Sequence, residues 1–208
     1  MSTIPRNIAY WYDQKSRNGI PGDALNSMLQ KSIRRSQEEN ALAAAYEMYI
    51  TSPDYLEMLW KRLVCISVED IGFGEQNAAS LICTLNEMRK EFPYEDGDQA
   101  LFFVHAVRYL CRCKKERTSD HIRGMLKRAF AAGYVPEIPD YAYDMHTTKG
   151  REMGRDLLHF AQEASRVENP VQDEDLCAIH REFISFCEQL QEGEAETADA
   201  FRYNCWQY

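Results

Sequence analysis

The sequence predicts an all-α protein, a helical array with a C-terminal helical extension, on three observations. Apolar residues recur three and four apart along most of the chain, the periodic segments have helical lengths joined by short connections, and no stretch alternates apolar with polar residues as a half-buried strand does. Its 208 residues, 45% hydrophobic and 27% charged, are enough to enclose a core without metal or disulfides.

The first element is an irregular arm, residues 1–22, in which Tyr10, Trp11 and Tyr12 follow no period and Gly19, Pro21 and Gly22 end the segment. It reads as a strap whose aromatics dock on a surface. From Asp23, taken as N-cap, Leu25, Met28, Leu29 and Ile33 share one helical face. A second helix after Ser36 carries Ala41, Leu42, Ala45, Tyr46 and Tyr49 as its stripe. Ser52-Pro53-Asp54 is the clearest start, with an oxygen for an orphan amide, a proline at the first helical position and an acid at the positive end of the dipole. That helix presents Leu56, Leu59, Trp60, Leu63, Val64 and Ile66 and stops at Gly72 and Gly74.

Three further stripes follow. They are Ala78, Leu81, Ile82, Leu85 and Met88, then Leu101, Phe102, His105 and Tyr109 in a segment apolar on most sides. The third, Ile122, Met125, Leu126, Ala129 and Phe130, sits between Ser119 as N-cap and Gly133. Pro136 and Pro139 mark a rigid break, dividing a core over 23–135 from an extension over 136–208. In the extension, 149–168 and 173–191 read as helices and the last dozen residues do not. No fixed-period repeat indicates a solenoid.

The net charge of −9 argues against a generally basic nucleic-acid coat or a polybasic membrane anchor. With no bilayer-length apolar run and no signal-peptide core at the N-terminus, the expectation is a cytoplasmic protein without a membrane partner. Seven cysteines, odd in number and scattered singly, read as reduced thiols. Charge is polarised: residues 101–135 hold eight cations against Glu116 and Asp120, whereas 168–199 hold ten acids and only Arg181. The acidity therefore belongs to the extension, and the basic segment, through Arg112, Lys114, Lys115, Arg117, Lys127 and Arg128, is a candidate DNA-binding surface.

No glycine lies in a phosphate-binding G-x-x-x-x-G-K-[ST] loop, and neither G-x-S-x-G nor H-E-x-x-H occurs. ATP hydrolysis by that route is not expected, and no cofactor is implied. His105, Cys111, Cys113 and His121 are zinc-type ligands within seventeen residues, but on a helix C-x-C points its thiols about 200° apart, so no metal site is expected. The stretch 144–159 is dense in functional side chains: Asp144, His146, Arg151, Arg155 and His159. If one helix runs through it, Arg151 and Arg155 form a cationic stripe that His159 continues, beside an acid–histidine pair suited to a phosphate or a partner's carboxylates. The competing reading is a structural corner in which Asp144 holds His146, glycines permit close packing and the arginines pair with local acids.

Lys31-Ser32-Ile33-Arg34-Arg35-Ser36 places cations at a helix end, where they complement its dipole. Glu69-Asp70 before Ile71-Gly72 is the opposite case, acids near a helix C-terminus, and calls for specific partners such as Lys31, Arg34 or Arg62. These blocks, with Ala41-Leu42, Tyr46, Arg62-Leu63, S-V-E-D-I-G at 67–72 and A-V-R-Y-L at 106–110, resemble the C-terminal domain of the replication-associated recombination (RarA/MgsA) AAA+ ATPases. The likeness covers about residues 23 to 130, and S-x-E-D-I-G is its most specific part. Arg35 stands where the family usually has Gly, and the proline of a turn near Lys114-Lys115 is missing.

The resemblance implies a domain like a clamp-loader collar, following an ATPase that this chain lacks, and an assembly role in DNA replication, recombination or repair. It makes Lys31, Ser32, Arg34, Arg62, Glu69, Asp70 and Gly72 structural or assembly residues. The partners it implies are further copies of the chain, with a tetramer as the family's order, replication or repair proteins, or a full-length ATPase relative. Three functions are thus expected, in descending order: a non-enzymatic oligomerisation module, a DNA-binding protein using the basic segment with Arg151 and Arg155, and a small-ligand or enzymatic site around Asp144, His146 and His159.

Overall fold

In a computed structural model describing residues 14–191, the Ser52 start is built as its residues require. The Ser52 hydroxyl accepts the Tyr55 amide at 3.3 Å, and Pro53 is the first helical residue. Among the described residues the protein is all-α, with nine α-helices and no strand beyond an isolated Lys15–Pro21 bridge. Tyr10, Trp11, Tyr12 and the last dozen residues lie outside the described part. No helix in it is long and apolar enough to cross a membrane. The chain divides into two compact units, Met1–Tyr134 and Val135–Tyr208.

The first unit packs α1 (Gly22–Arg34), α2 (Glu38–Thr51), α3 (Pro53–Ile66), α4 (Ala78–Met88) and α5 (Gln99–Arg112) around one core. Leu25, Leu29 and Ile33 of α1 meet Leu59, Trp60 and Leu63 of α3 and Phe103, Val107 and Leu110 of α5 there, all buried. Ala41, Ala44 and Ala45 leave α2 a small-residue face that lets its neighbours approach closely. Glu47 is buried among them because it has polar work: its carboxylate accepts Ser16 Oγ at 2.6 Å, Asn18 N at 2.9 Å and Asn18 Nδ2 at 2.6 Å, clamping the preceding segment to α2. Those bonds, Ser16's first, hold its carboxyl below the usual range.

Several helices differ from expectation in register. α1 begins at Gly22 after Pro21, so Asp23 lies in its first turn and is not the cap. In α2 the buried set is Ala41, Ala44, Ala45 and Met48, and Tyr46 is exposed. In α5 the buried apolar residues are Phe103, Ala106, Val107, Leu110 and Cys111, while Leu101 and His105 face solvent; in a segment apolar all round, only the neighbours decide which side is covered. α3 runs past its α-helical end into a π-helix, Ser67–Ile71, before Gly72 turns the chain at φ +51°.

α6 (Thr118–Ala131) is the largest departure. Its N-cap position is Arg117, not Ser119, and it has no buried residue. The expected core stripe, Ile122, Met125, Leu126 and Phe130, is 50–62% exposed. Its C-terminus closes as the sequence indicates: Gly133 at φ +91° donates to Phe130 O and Tyr134 N donates to Ala129 O, each at 3.0 Å, the Schellman pair.

In the second unit the helix expected over 149–168 is broken. α7 (Thr148–Glu152) ends at Gly154, φ +72°, and a new start at Asp156 opens α8 (Leu157–His159), which continues as a π-helix through Ala164. α9 (Glu174–Gln191) follows the expected second helix closely.

Candidate functional site

The two blocks singled out at 31–36 and 67–72 meet. The Asp70 side chain is fully buried, an arrangement that demands charged partners. Arg34 Nε donates to its Oδ1, Gln30 Nε2 donates to Oδ2 at 2.9 Å, and Arg117 Nε lies 3.1 Å from Oδ1 as an ion pair short of hydrogen-bond geometry. Both arginines also reach Glu69, at 3.5 and 3.6 Å. Of the partners expected for Glu69 and Asp70, Arg34 is present. Lys31 makes no ion pair here, and Arg62 bonds Asn26 and Gln30, standing one step back by holding Gln30. Arg117 was the partner sequence reasoning missed: it comes from far along the chain, and nothing local marks it.

Glycine makes this crossing possible. A Cβ on Gly72 would stand 2.7 Å from Glu116 O, and one on Gly74 would stand 2.5 Å from Lys114 O. The segment 114–116 is therefore laid directly over the turn, and Glu116 N donates to Asp70 O at 3.0 Å. Glu116's carboxylate accepts Thr118 N at 2.6 Å and Phe73 N at 3.3 Å, and Asp120 binds Arg117 at 2.6 Å and Arg123 at 2.5 Å. α6 is thus moored by charge at its first turn. Beside the network lie two open hollows of about 510 and 500 Å³, meeting at Val68 and Ser119; Arg62, Cys65, Glu69 and Arg123 line the first and Phe73, Gln76 and Ala79 the second. Burial, then the Glu69 carboxylate, pushes the Cys65 thiol up, which makes it a poor nucleophile.

The 144–159 stretch forms a corner. His146 Nδ1 is 2.9 Å from Asp144 Oδ2, the His146 amide donates to Asp144 Oδ1 at 3.0 Å, and the imidazole meets the Phe160 ring edge-on at 5.0 Å. The histidine holds the Asp144 carboxyl below the usual range. Thr147 caps α7 by accepting Gly150 N, and Gly150 has no room for a Cβ against the Asp144 backbone. Arg151 and Arg155 do not share a helix face, because Gly154 turns the chain between them. Arg151 donates to Met145 O and Thr148 Oγ1, while Arg155 donates to Asp140 O, Tyr143 O and Asp140 Oδ2, each at 2.6 Å. His159 keeps a buried Nδ1 without a hydrogen-bond partner. The acid–histidine pair is formed, but among the described residues no hydroxyl or thiol hydrogen-bonds to His146, and neither arginine nor His159 joins the pair.

The six basic candidates separate. Arg117 is drawn into the Asp70 network, and Lys115 Nζ donates inward to Ser36 Oγ, Cys111 O and Cys113 O, with burial lowering its pKa. Arg112 is 3.5 Å from Glu38. Lys114, Lys127 and Arg128 are exposed and make no ion pair among the described residues. Cys111 is buried and its thiol is pushed up to about 11 by that burial, while His105 and His121 are exposed. No group of three metal-type ligands forms among the described residues.

No protein-family model matches the chain, and a search of the curated proteins returns no match.

Proposed function

We propose that this protein is a non-enzymatic helical module that associates with further copies of itself and acts through protein contacts in DNA replication, recombination or repair. One observation carries the association: a fourteen-residue helix, α6, leaves the four large residues of its apolar stripe, Ile122, Met125, Leu126 and Phe130, half or more exposed. Contiguous exposed apolar surface of this kind marks contact sites. The link to DNA maintenance rests on the collar-like blocks, and the meeting of Arg34 with Glu69 and Asp70 supports treating them as one architectural unit. Replication or repair proteins, or a full-length ATPase relative, are the partners this reading assigns.

Light scattering across about 1–100 µM tests it, a span over which the free energy of a one-site equilibrium changes by about 2.7 kcal/mol. The expected result is a mass that rises to a multiple of the chain; a monomer throughout overturns the proposal. A second reading, direct DNA binding, retains Lys114, Lys127 and Arg128 as exposed cations. It requires retardation of duplex DNA at low salt that fades steeply as salt rises.

A further inference from the structure

We infer that α6 of one copy docks on α9 of a second copy, and that the exchange is reciprocal. The inference rests on the self-association reading and names its surface. α9 repeats the anomaly of α6: Leu176, Ile179, Phe183 and Phe186 recur at helical spacing and are 39–61% exposed, although Cys187 of the same helix is buried. Each copy therefore presents two long amphipathic helices whose apolar stripes are uncovered.

Charge chooses between the pairings. Arg123 and Lys127 stand four apart on one edge of the α6 stripe, so both flank whatever covers it; Asp120, on the same edge, is bonded to Arg123 and leaves the edge net positive through Lys127. Asp175 and Glu182 stand seven apart along one edge of the α9 stripe, exposed and without an ion pair among the described residues. Pairing α6 with α6 sets cations beside cations, and pairing α9 with α9 sets acids beside acids. Pairing α6 with α9 buries both stripes and places the cationic edge by the acidic one. Viewed from their N-termini the two charged edges lie to opposite hands of their stripes, so they meet when the helices run parallel. Because every copy carries both faces, a reciprocal exchange of α6 to α9′ and α9 to α6′ leaves no face over, where a single unreciprocated contact would propagate into a filament.

The test uses the full chain in two variants. One carries Leu126→Asp with Phe130→Asp on α6; the other carries Ile179→Asp with Phe186→Asp on α9. All four positions are exposed, and far-UV circular dichroism checks that helix content is kept. Sedimentation velocity should find each variant monomeric alone, and an equimolar mixture should recover dimer through the one contact that stays intact, with Kd about tenfold or more above the wild type. Wild-type chain that is monomeric overturns both the self-association reading and this inference. Wild-type chain that associates, with both variants still associating, overturns this inference alone. Variants that are monomeric singly and remain so when mixed also overturn it, because like-with-like pairing or docking within one chain then accounts for the loss. As a second probe that leaves the apolar stripes and the Arg123–Asp120 bond intact, Lys127→Glu should weaken association, and adding Glu182→Lys in the same chain should restore it. Failure to restore removes the charge argument on which the choice of pairing rests.

Discussion

α3 and α6 are each fourteen residues long, each amphipathic, and each carries apolar residues three and four apart. In α3, Leu56, Leu59, Trp60 and Leu63 are buried against four other helices; in α6, Ile122, Met125, Leu126 and Phe130 stand in solvent and the attachment comes from Glu116, Arg117 and Asp120. One helix is held by its apolar side and the other by its polar end. Periodicity reports that a helix has two faces, and the difference between these two shows that it does not report which face meets the protein's own core.

The sharpest way to break the comparison is to truncate a leucine in each helix. Leu59→Ala, at a site with no solvent exposure, should cost about 2–5 kcal/mol in a urea melt. A loss below about 1 kcal/mol would mean the α3 face is not the core it is taken to be. Next, Asp70→Ala removes the acid that Arg34 and Arg117 share. Both arginines keep Glu69 nearby and are a quarter or more exposed, so the loss should be about 2–3 kcal/mol, below the ~3–5 of a fully buried pair. Proteolysis should report it first within 114–131, and uniform sensitivity along the chain would contradict the mooring of α6 by charge.

Acid should separate the two helices without mutation. Arg123's hydrogen bond holds Asp120 below the usual carboxylate range, and bonds from Thr118 hold Glu116 below it. Depressed carboxylates stabilise the fold fully above their unfolded values near ~4 and lose that contribution as pH falls through the folded ones. Amide resonances of α6 should therefore shift and broaden below about pH 4 while those of α3 stay dispersed; simultaneous collapse of both would erase the distinction. The smallest effect belongs to Leu126→Ala, expected within about 0.5 kcal/mol in a melt at concentrations too low for association. A loss comparable to that of Leu59→Ala would place Leu126 in a core.

Most local rules were legible, although Asp23 and Ser119 are not the caps their residue types suggest; long-range ones were not. The Ser52-Pro53 start and the Gly133 stop each depend on atoms a few residues apart, and both formed as read. The covered face of α5 depends on neighbours distant in the chain, which no window contains. The unfavourable placement of Glu69 and Asp70 at a helix end correctly demanded partners, and Arg34 answered, but Arg117 arrives only because Gly72 and Gly74 let another segment cross. The cationic stripe of Arg151 and Arg155 failed for a visible reason: Gly154 adopts a left-handed turn and ends the helix that the spacing assumed.

The Gly72–Gly74 crossing also orders events in time. The contacts that hold α6 link residues more than forty positions apart, as Phe73 to Glu116 does, whereas α1 to α5 already enclose the core by Arg112. α6 adds no buried side chain to that core, so little apolar contact opposes its release. The core is thus closed without α6, and the attachment of α6 is the first to reverse. Hydrogen exchange should find α6 opening as a unit of low free energy beneath a core that stays closed.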